Sequence, residues 1–173
     1  MKNEKIIEKI TTQFGNSVRE FNETSDMLTF EVDKAKAIEL IQFLRDDETL
    51  RFNFLTTLCG VHYPDNAVER QFCVVYHLHN WLDNVRIRFK AYLSADNLEI
   101  DTATKLYECA NWMEREAYDF FGIIFNGHPD LKRILNMEEM VSFPMRKDFP
   151  LEDQERTDKD DRYFGREGKV LSN

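Results

Sequence analysis

Residues 71–93 read QFCVVYHLHNWLDNVRIRFKAYL, and this stretch decides the fold. Apolar and polar side chains alternate along two runs, Gln71–Trp81 and Val85–Leu93, as they do in half-buried β-strands. Asp83 and Asn84 lie between the runs, and both residue types tolerate the positive φ of tight hairpin turns. The stretch therefore predicts an antiparallel hairpin.

A two-residue turn would pair Leu82 with Val85, and the two faces of the hairpin then follow from the strand period of two. One face is apolar: Val74, Tyr76, Leu78, Phe89, Ala91 and Leu93. The other face is mixed and cationic: Val75, His77, His79, Trp81, Arg86, Arg88, Lys90 and Tyr92. In this register His79 lies opposite Arg88. A single apolar face predicts a sheet covered by helices on one side only.

The segments around the hairpin show helical and extended patterns in turn. Three helices are predicted: one with Ile6, Ile7, Ile10 and Phe14, ended by Gly15; one with Ala37, Ile38, Ile41 and Leu44, capped by Asp33; and one from Asp101 or Thr102 to about Phe121, with Leu106, Ala110, Met113, Ala117 and Phe120 inside and Gly122 at its end. Extended runs are predicted over 17–21, 27–32 and 51–58, the last followed by a loop over 60–66.

This order of elements predicts the fold class. It implies a two-layer α+β domain over residues 1–143, with a mixed or antiparallel sheet covered by helices on one face. Residues 144–173 are rich in charge and show no periodicity, so we expect an extended C-terminal tail that docks on partner proteins.

Composition limits the possible functions. The chain has 173 residues, a formal net charge of −9 and 3 cysteines. An acidic chain is poorly suited to binding nucleic acid, which needs a basic face. The cysteines form no C-x-x-C pair and fit reduced thiols. No secretory signal peptide is expected, because the charged N-terminus lacks an uninterrupted apolar stretch. No membrane span is expected, because no run of about 18 apolar residues occurs. Membrane association is therefore expected only through partners.

Two pairs of residues have the spacing of weak metal sites. His77 and His79 share one strand face, but cations on the facing strand disfavour a dication, so we favour a polar or partner-facing surface. Cys59 and His62 have no second pair of ligands beside them. For these two we favour a buried thiol beside a loop histidine.

Motifs for cofactors and for acid–base catalysis are missing from the sequence. It contains no G-x-G-x-x-G and no C-x-x-C-x-x-C, the patterns of dinucleotide and iron–sulfur binding. Glu114 and Glu116 could form an acid–base pair, but residues two apart on a helix are separated by roughly 200° and cannot converge on one substrate. We therefore predict no catalytic residue, no cofactor and no metal in this chain.

The most specific stretch is residues 114–135, EREAYDFFGIIFNGHPDLKRIL. It contains E-R-E, an acidic residue before two bulky apolar ones, H-P-D-L, a basic pair and an aliphatic pair, in that order. It closely resembles the signature of the C-subunit of respiratory NADH–quinone oxidoreductase (complex I). The P-L-R-K-D-like segment that commonly follows is PMRKD at 144–148, with Met145 in place of leucine. Val141–Phe143 lack the glycine expected before that segment.

The resemblance covers essentially the whole chain and implies a place in an assembly. It implies a cofactor-free structural subunit of the hydrophilic peripheral arm, packed against the quinone-site protein (the D-subunit) and adjacent iron–sulfur subunits. The assembly, which uses FMN, iron–sulfur clusters, NADH and quinone, would couple electron transfer to ion translocation. The implied location is the cytoplasmic side of the cell inner membrane.

The resemblance also implies which residues contact partners. They are Glu114, Arg115, Glu116, Tyr118, Asp119, Gly122, His128, Pro129, Asp130, Arg133, Arg146, Lys147 and Asp148. Aromatic residues and arginine are favoured at binding hot spots, which suits this set. Met113, Ala117 and Phe120 are expected to be core instead. In the tail, we expect Phe149, Leu151, Tyr163 and Phe164 to act as anchors on partner subunits.

Two other functions stay open. The chain could be the equivalent subunit of a related membrane-bound hydrogenase or of a ferredoxin- or F420-accepting complex. It could instead be a free-standing acidic adaptor or co-chaperone, since His128-Pro129-Asp130 is also the tripeptide of J-domain proteins. In that family a strongly basic helix precedes the tripeptide, whereas here residues 118–125 are aromatic and aliphatic. We regard this last match as chance.

Overall fold

The computed structural model describes residues 3–149. Its helices are α1 (Asn3–Phe14), α2 (Ala37–Asp46) and α3 (Ala110–Phe121). Its strands are β1 (Val18–Thr24), β2 (Met27–Val32), β3 (Phe54–His62), β4 (Phe72–Asn80), β5 (Val85–Leu93), β6 (Glu99–Asp101) and β7 (Ile124–Asn126). In this part of the chain, no helix has both the length and the apolar character needed to cross a membrane.

Five strands form one mixed sheet in the order β1-β2-β5-β4-β3. β2 and β5 are parallel, and the other neighbouring pairs are antiparallel. The crossover between β2 and β5 contains α2, β3 and β4. β6 and β7 form a separate two-stranded parallel ladder. The predicted α+β class with a mixed sheet is confirmed.

One face of the sheet builds the core. All six residues of the predicted apolar hairpin face are 0% exposed, from Val74 to Leu93. They join one apolar cluster with residues of all three helices: Ile6, Ile10, Leu40, Leu44, Ala110 and Ala117. At Gly60 of β3, an added Cβ would lie only 2.6 Å from the ring of Phe121. The sheet therefore has a single helical layer, as predicted.

The register of the hairpin differs from the prediction. Asn80 pairs with Val85, which leaves four residues in the turn, and His79 lies opposite Arg86 rather than Arg88. The buried side chain of Asn80 explains this turn: its Oδ1 accepts hydrogen bonds from the backbone N–H of Leu82 (2.9 Å) and Asp83 (3.1 Å). Each residue of β4 therefore pairs with a residue two positions earlier in β5 than predicted. Because that shift is even, the two faces stay as predicted.

The first half of the chain departs from the prediction in three respects. Asp33 does not cap α2, because a 3₁₀ turn over Lys34–Lys36 comes first and the carboxylate of Asp33 accepts a hydrogen bond from Arg19 at 2.6 Å. The buried stripe of α2 includes Leu40, whereas Ile38 is only half-buried. The predicted loop over 60–66 was placed too early, because β3 continues to His62.

The third helix is shorter than predicted. It begins at Ala110, and Glu99–Asp101, near the predicted cap, is strand β6. The predicted stripe is buried at Ala110 and Ala117, while Leu106, Met113 and Phe120 are partly buried. The predicted domain boundary at residue 143 stays a prediction, since residues 150–173 of the tail lie outside the described residues.

Candidate functional site

Asp119, near the end of α3, lies at the centre of a hydrogen-bond network. Its fully buried carboxylate accepts hydrogen bonds from the backbone N–H of Ile134 (3.1 Å), Leu135 (2.8 Å) and Asn136 (3.0 Å). The guanidinium of Arg133 lies 2.7 Å from the same carboxylate. Burial alone would raise the pKa of Asp119, but the hydrogen bonds from Asn136 and Arg133 outweigh it and hold the pKa well below its usual value. The charged carboxylate therefore fixes residues 133–136 against α3.

Arg133 extends this network to the next turn of the chain. Its side chain is only 6% exposed, and it also donates to the backbone carbonyl of Asp119 at 2.8 Å. Its other terminal nitrogen donates to the carbonyls of Met140 (2.5 Å) and Ser142 (2.9 Å). The guanidinium lies 5.0 Å over the ring of Phe143. One side chain thus holds both ends of the irregular segment 134–143.

Glu114 ties the start of α3 to the chain after β6. Its buried carboxylate accepts hydrogen bonds from the hydroxyl of Thr102 (2.5 Å) and the backbone N–H of Ala103 (2.7 Å). Burial raises the pKa of Glu114 to about 7, although both hydrogen bonds act in the opposite direction. These bonds hold Thr102 and Ala103 against the side of α3, which explains why the helix does not begin there.

Arg115 is also an internal contact. Only 8% of the residue is exposed, and its guanidinium donates to the carbonyls of Lys132 (3.1 Å) and Arg133 (3.2 Å). The same group lies 4.9 Å from the ring of Trp112, which is itself 64% exposed. Arg115 therefore joins the H-P-D-L segment to the helix and orients an exposed tryptophan.

His128 shapes the turn that leads into this segment. Its Nδ1 accepts a hydrogen bond from the backbone N–H of Asp130 at 3.0 Å, so the ring proton lies on Nε2, which is 3.1 Å from the carbonyl of Asn111. Pro129 and Asp130 are exposed, and the carboxylate of Asp130 pairs with Lys132 at 2.8 Å. The histidine is thus a turn-forming residue bonded at both nitrogens.

Gly122 ends α3 with a left-handed conformation, φ +76. A Cβ at this position would lie 2.6 Å from a guanidinium nitrogen of Arg146 and 2.7 Å from the ring of Phe143. Arg146 occupies this space because it donates to the carbonyl of Phe121 at 2.8 Å. Both the backbone angle and the close approach therefore require glycine.

His62 receives the end of the described chain. The backbone N–H of Lys147 donates to its Nδ1 at 2.9 Å, and the imidazole stacks on Phe72 with 4.3 Å between ring centroids. Burial lowers the pKa of His62, which favours the neutral ring that this bond needs. For Cys59 and His62, a buried thiol beside a loop histidine was expected. This is wrong, because His62 is buried at the end of β3 and Cys59 is an exposed residue.

Burial divides the predicted interface residues into three groups. The buried ones are Glu114, Arg115, Asp119 and Gly122. The half-buried ones are Tyr118, His128, Arg146 and Arg133, the last with a buried side chain and a partly exposed backbone. The exposed ones are Glu116, Pro129, Asp130, Lys147 and Asp148. The buried charges already have partners within the chain, so their role here is to hold the segment in place. Contact between the exposed residues and a partner stays a prediction.

Several exposed apolar residues near the signature were missed. They are Trp112 (64% exposed), Leu135 (65%), Met137 (74%), Val141 (94%) and Met145 (54%). Met145 also lines an apolar groove of about 190 Å³ with Cys59, Met113, Glu116 and Phe120. The signal in the sequence was the presence of apolar residues in a segment without helical or strand periodicity. We call Trp112, Glu116, Leu135, Met137, Val141 and Met145 the signature surface.

His77 and His79, for which a polar surface was favoured over a metal site, lie beside residues of the hairpin itself. His77 faces Arg88 across the hairpin, and a ring nitrogen of His79 lies 3.1 Å from the side-chain oxygen of Asn84. Over residues 3–149, no three His, Cys, Asp or Glu side chains come together in a way that could hold a metal ion.

Comparison with known proteins places the chain in a family. The family model described as "Respiratory-chain NADH dehydrogenase, 30 Kd subunit" matches residues 30–155. The chain belongs to this family. It is 42% identical to the C-subunit of the NADH-quinone oxidoreductase of Citrifermentans bemidjiense, over 89% of this chain and 93% of that protein. It is 36% identical to the corresponding C-subunit of Legionella pneumophila (strain Corby), over 87% and 78% of the two chains.

Two solved structures are similar to the chain. A trypsin-resistant fragment of Nqo5 is similar with a TM-score of 0.62 and 30% identity, over 76% of this chain and 100% of the fragment. A chain of the membrane-bound sulfane sulfur reductase, an archaeal respiratory membrane complex, has a TM-score of 0.72 at 24% identity, over 87% of each chain. The second likeness shows the shared fold alone. The family recognised from residues 114–135 is therefore confirmed.

Replacing Asp119 by alanine should strongly destabilise the chain. The change leaves Arg133 buried without its counter-charge and three backbone N–H groups without an acceptor, and breaking a buried pair costs about 3–5 kcal/mol. Urea unfolding of Asp119→Ala measures this loss. The control is Asp130→Ala, which removes an exposed pair from the same segment and should leave the free energy of unfolding close to that of the wild type. Equal losses for the two variants would contradict the assignment.

Glu114 should make stability depend on pH. The carboxyl of Glu114 has an ordinary pKa of 4.5 and a folded-state pKa of about 7, so the folded chain holds a proton that the unfolded chain releases. Its contribution is complete below pH 4.5 and is lost as the pH rises through 7. Glu114→Gln keeps a neutral group of the same shape. Urea unfolding should show the wild type losing stability relative to this variant between about pH 5 and pH 8. A constant difference over that range would refute the pKa assignment.

Proposed function

We propose that this chain works as the C-subunit of an NADH-quinone oxidoreductase, a structural component of the peripheral arm without catalytic residues of its own. The observation that carries the proposal is the family match over residues 30–155, together with relatives of that name that align along most of their own length. The assembly would transfer electrons from NADH to quinone and couple this transfer to ion translocation. This chain would support the geometry of that assembly.

The chemistry of the signature supports a structural role. Asp119, Arg133 and Glu114 make close polar contacts within the signature, and each is bonded to groups of this chain. A catalytic acid or base needs access to a substrate, which these buried side chains lack. Their contacts instead hold a segment without regular secondary structure in one conformation. FMN, iron–sulfur clusters, NADH and quinone would accordingly be bound by other subunits.

The signature surface is the proposed contact with the quinone-site protein and adjacent iron–sulfur subunits. Trp112 and Val141 are large apolar side chains that are 64% and 94% exposed, which is unfavourable unless a partner covers them. The backbone of Trp112 belongs to α3, and that of Val141 lies between two carbonyls bonded to Arg133, so little conformational entropy would be lost when a partner binds. The predicted anchors Leu151, Tyr163 and Phe164 lie outside the described residues. The chain would lie at the cytoplasmic side of the inner membrane through these partners.

Purification of the tagged full chain in a gentle detergent tests the proposed function. Mass spectrometry should find the other subunits of an NADH-quinone oxidoreductase, including the quinone-site protein. Recovery of hydrogenase subunits or of a ferredoxin-accepting complex would instead assign the chain to a related assembly, and recovery of the chain alone would reject a subunit role.

A matched pair of variants tests the signature surface. Val141→Asp places a charge on the proposed contact and should reduce recovery of the quinone-site protein, because an unpaired charge at an interface is costly. Val68→Asp makes the same change on a 3₁₀ turn outside this surface, where the side chain is 43% exposed. Recovery of the quinone-site protein should then stay near the wild-type level. Equal recovery with both variants would place the contact elsewhere.

A further inference from the structure

The outer face of the sheet carries a row of positive charges. Arg86, Arg88 and Lys90 occupy alternate positions of β5, between the buried residues Ile87 and Phe89. Residues two apart on a strand are separated by about 6.5–7 Å, so the three side chains form a row about 13 Å long. β5 is the central strand of the sheet, and the helices pack on its other face. We call Arg86, Arg88 and Lys90 the cationic row.

The neighbouring strands do not neutralise this row. Across it lie Thr29 and Glu31 on β2 and His79, His77 and Val75 on β4. Glu31 is the one carboxylate among these positions, and Arg70 already pairs with it at 2.7 Å. Arg88 donates to the hydroxyl of Thr29 at 3.0 Å and 3.1 Å. Within residues 3–149, Arg86 and Lys90 form no ion pair.

His77, which lies beside the row, adds little positive charge to it. Burial and, to a smaller extent, the nearby charge of Arg88 lower the pKa of His77 below its ordinary value. The ring of His77 is therefore mostly neutral at neutral pH. The row consists of fixed arginine and lysine charges on a chain whose formal net charge is −9.

The turn of the hairpin continues the same face with apolar side chains. Trp81 is 63% exposed and Leu82 is 72% exposed. The indole of Trp81 is held edge-on by the ring of Phe54, with 5.2 Å between centroids. Tryptophan and arginine are the residue types that most often dominate binding energy at protein interfaces. Their combination here indicates a contact surface.

We propose that the sheet face that carries the cationic row docks an acidic segment of a neighbouring protein subunit. Carboxylates of that segment pair with the cationic row, and an apolar side chain of the segment covers Trp81 and Leu82. Thr29 holds the Arg88 guanidinium in one orientation, and a fixed guanidinium suits a carboxylate at a defined position better than the mobile headgroups of a lipid layer. The inference rests on the proposed function and adds the chemistry of a second contact, distinct from the signature surface.

The test compares two pairs of charge-neutralising variants of the tagged full chain. Arg86→Gln/Lys90→Gln removes two charges of the row, while Lys5→Gln/Lys105→Gln removes two exposed charges elsewhere. After gentle purification at low salt, the first pair should recover the contacting subunit at least about tenfold less than the wild type. The second pair should recover it at the wild-type level. Thermal unfolding of each isolated chain shows whether the substitutions disturb the fold.

Carbodiimide cross-linking of the purified complex identifies the occupant directly. It should join the amine of Lys90 to an aspartate or glutamate of another subunit. Lys90→Arg keeps the charge but removes the reactive amine, so this variant should retain the contacting subunit and lose the cross-link. A link only to Glu31 or to carboxylates of residues 152–161 of the same chain would overturn the inference.

The remaining outcomes separate this inference from the proposed function. Equal recovery of subunits with both variant pairs, and no cross-link from Lys90, would overturn the inference alone. Binding of the wild-type chain to phosphatidylglycerol vesicles that is lost in Arg86→Gln/Lys90→Gln, with subunit recovery unchanged, would overturn it in favour of a membrane contact. Failure of the wild-type chain to recover any other subunit would overturn the proposed function and this inference with it.

Discussion

The buried ion pair between Asp119 and Arg133 is the interaction on which the irregular segment after α3, residues 133–143, depends. Removing these charges from water is costly, and the cost is offset only where each polar atom has a partner. Asp119 accepts hydrogen bonds from consecutive backbone N–H groups, and Arg133 donates to two later carbonyls. The pair therefore replaces the hydrogen bonds that a helix or strand would have supplied to residues 134–142.

The same principle explains the other buried charges of the signature. Glu114 holds the segment after β6, Arg115 holds the carbonyls at 132 and 133, and Arg146 fills the space left by Gly122. These contacts fasten irregular chain to α3 without adding much apolar area. As a result, the exposed side chains of this region are held in fixed positions: Trp112, Leu135, Met137, Val141 and Met145. A surface of this kind suits a subunit whose role is to fit against others.

Much of the fold could be predicted from local patterns, since they depend on periodicity. The two faces of the hairpin survived an error in register, because the true pairing of Asn80 with Val85 preserved the alternation. The register itself depended on the buried side chain of Asn80. Its Nδ2 donates to the carbonyl of Leu50 at 2.8 Å, a tertiary contact that local patterns do not predict. The predicted start of α3 was wrong for a similar reason. Thr102 and Ala103 bond to Glu114, and residues 99–101 pair with β7, and neither contact is local in sequence.

The site was harder to predict than the fold. The sequence of the signature identified the family, but burial of Glu114 and Asp119 could not be read from it. Charged residues are rarely buried unless they are paired, and the partners lie 11 to 17 residues away in the chain. The exposed apolar residues of the signature surface were overlooked because they follow no period. Their exposure follows from backbone held by Asp119 and Arg133, which only the folded chain reveals.

Amide hydrogen exchange of the isolated chain tests the central claim most directly. If the Asp119–Arg133 network holds the segment without help from partners, the N–H groups of Ile134, Leu135 and Asn136 should exchange slowly, because each donates to the buried carboxylate. Their protection should approach that of the core strands β4 and β5. Exchange of these three amides at the rate of an unstructured peptide, while β4 and β5 remain protected, would contradict the account.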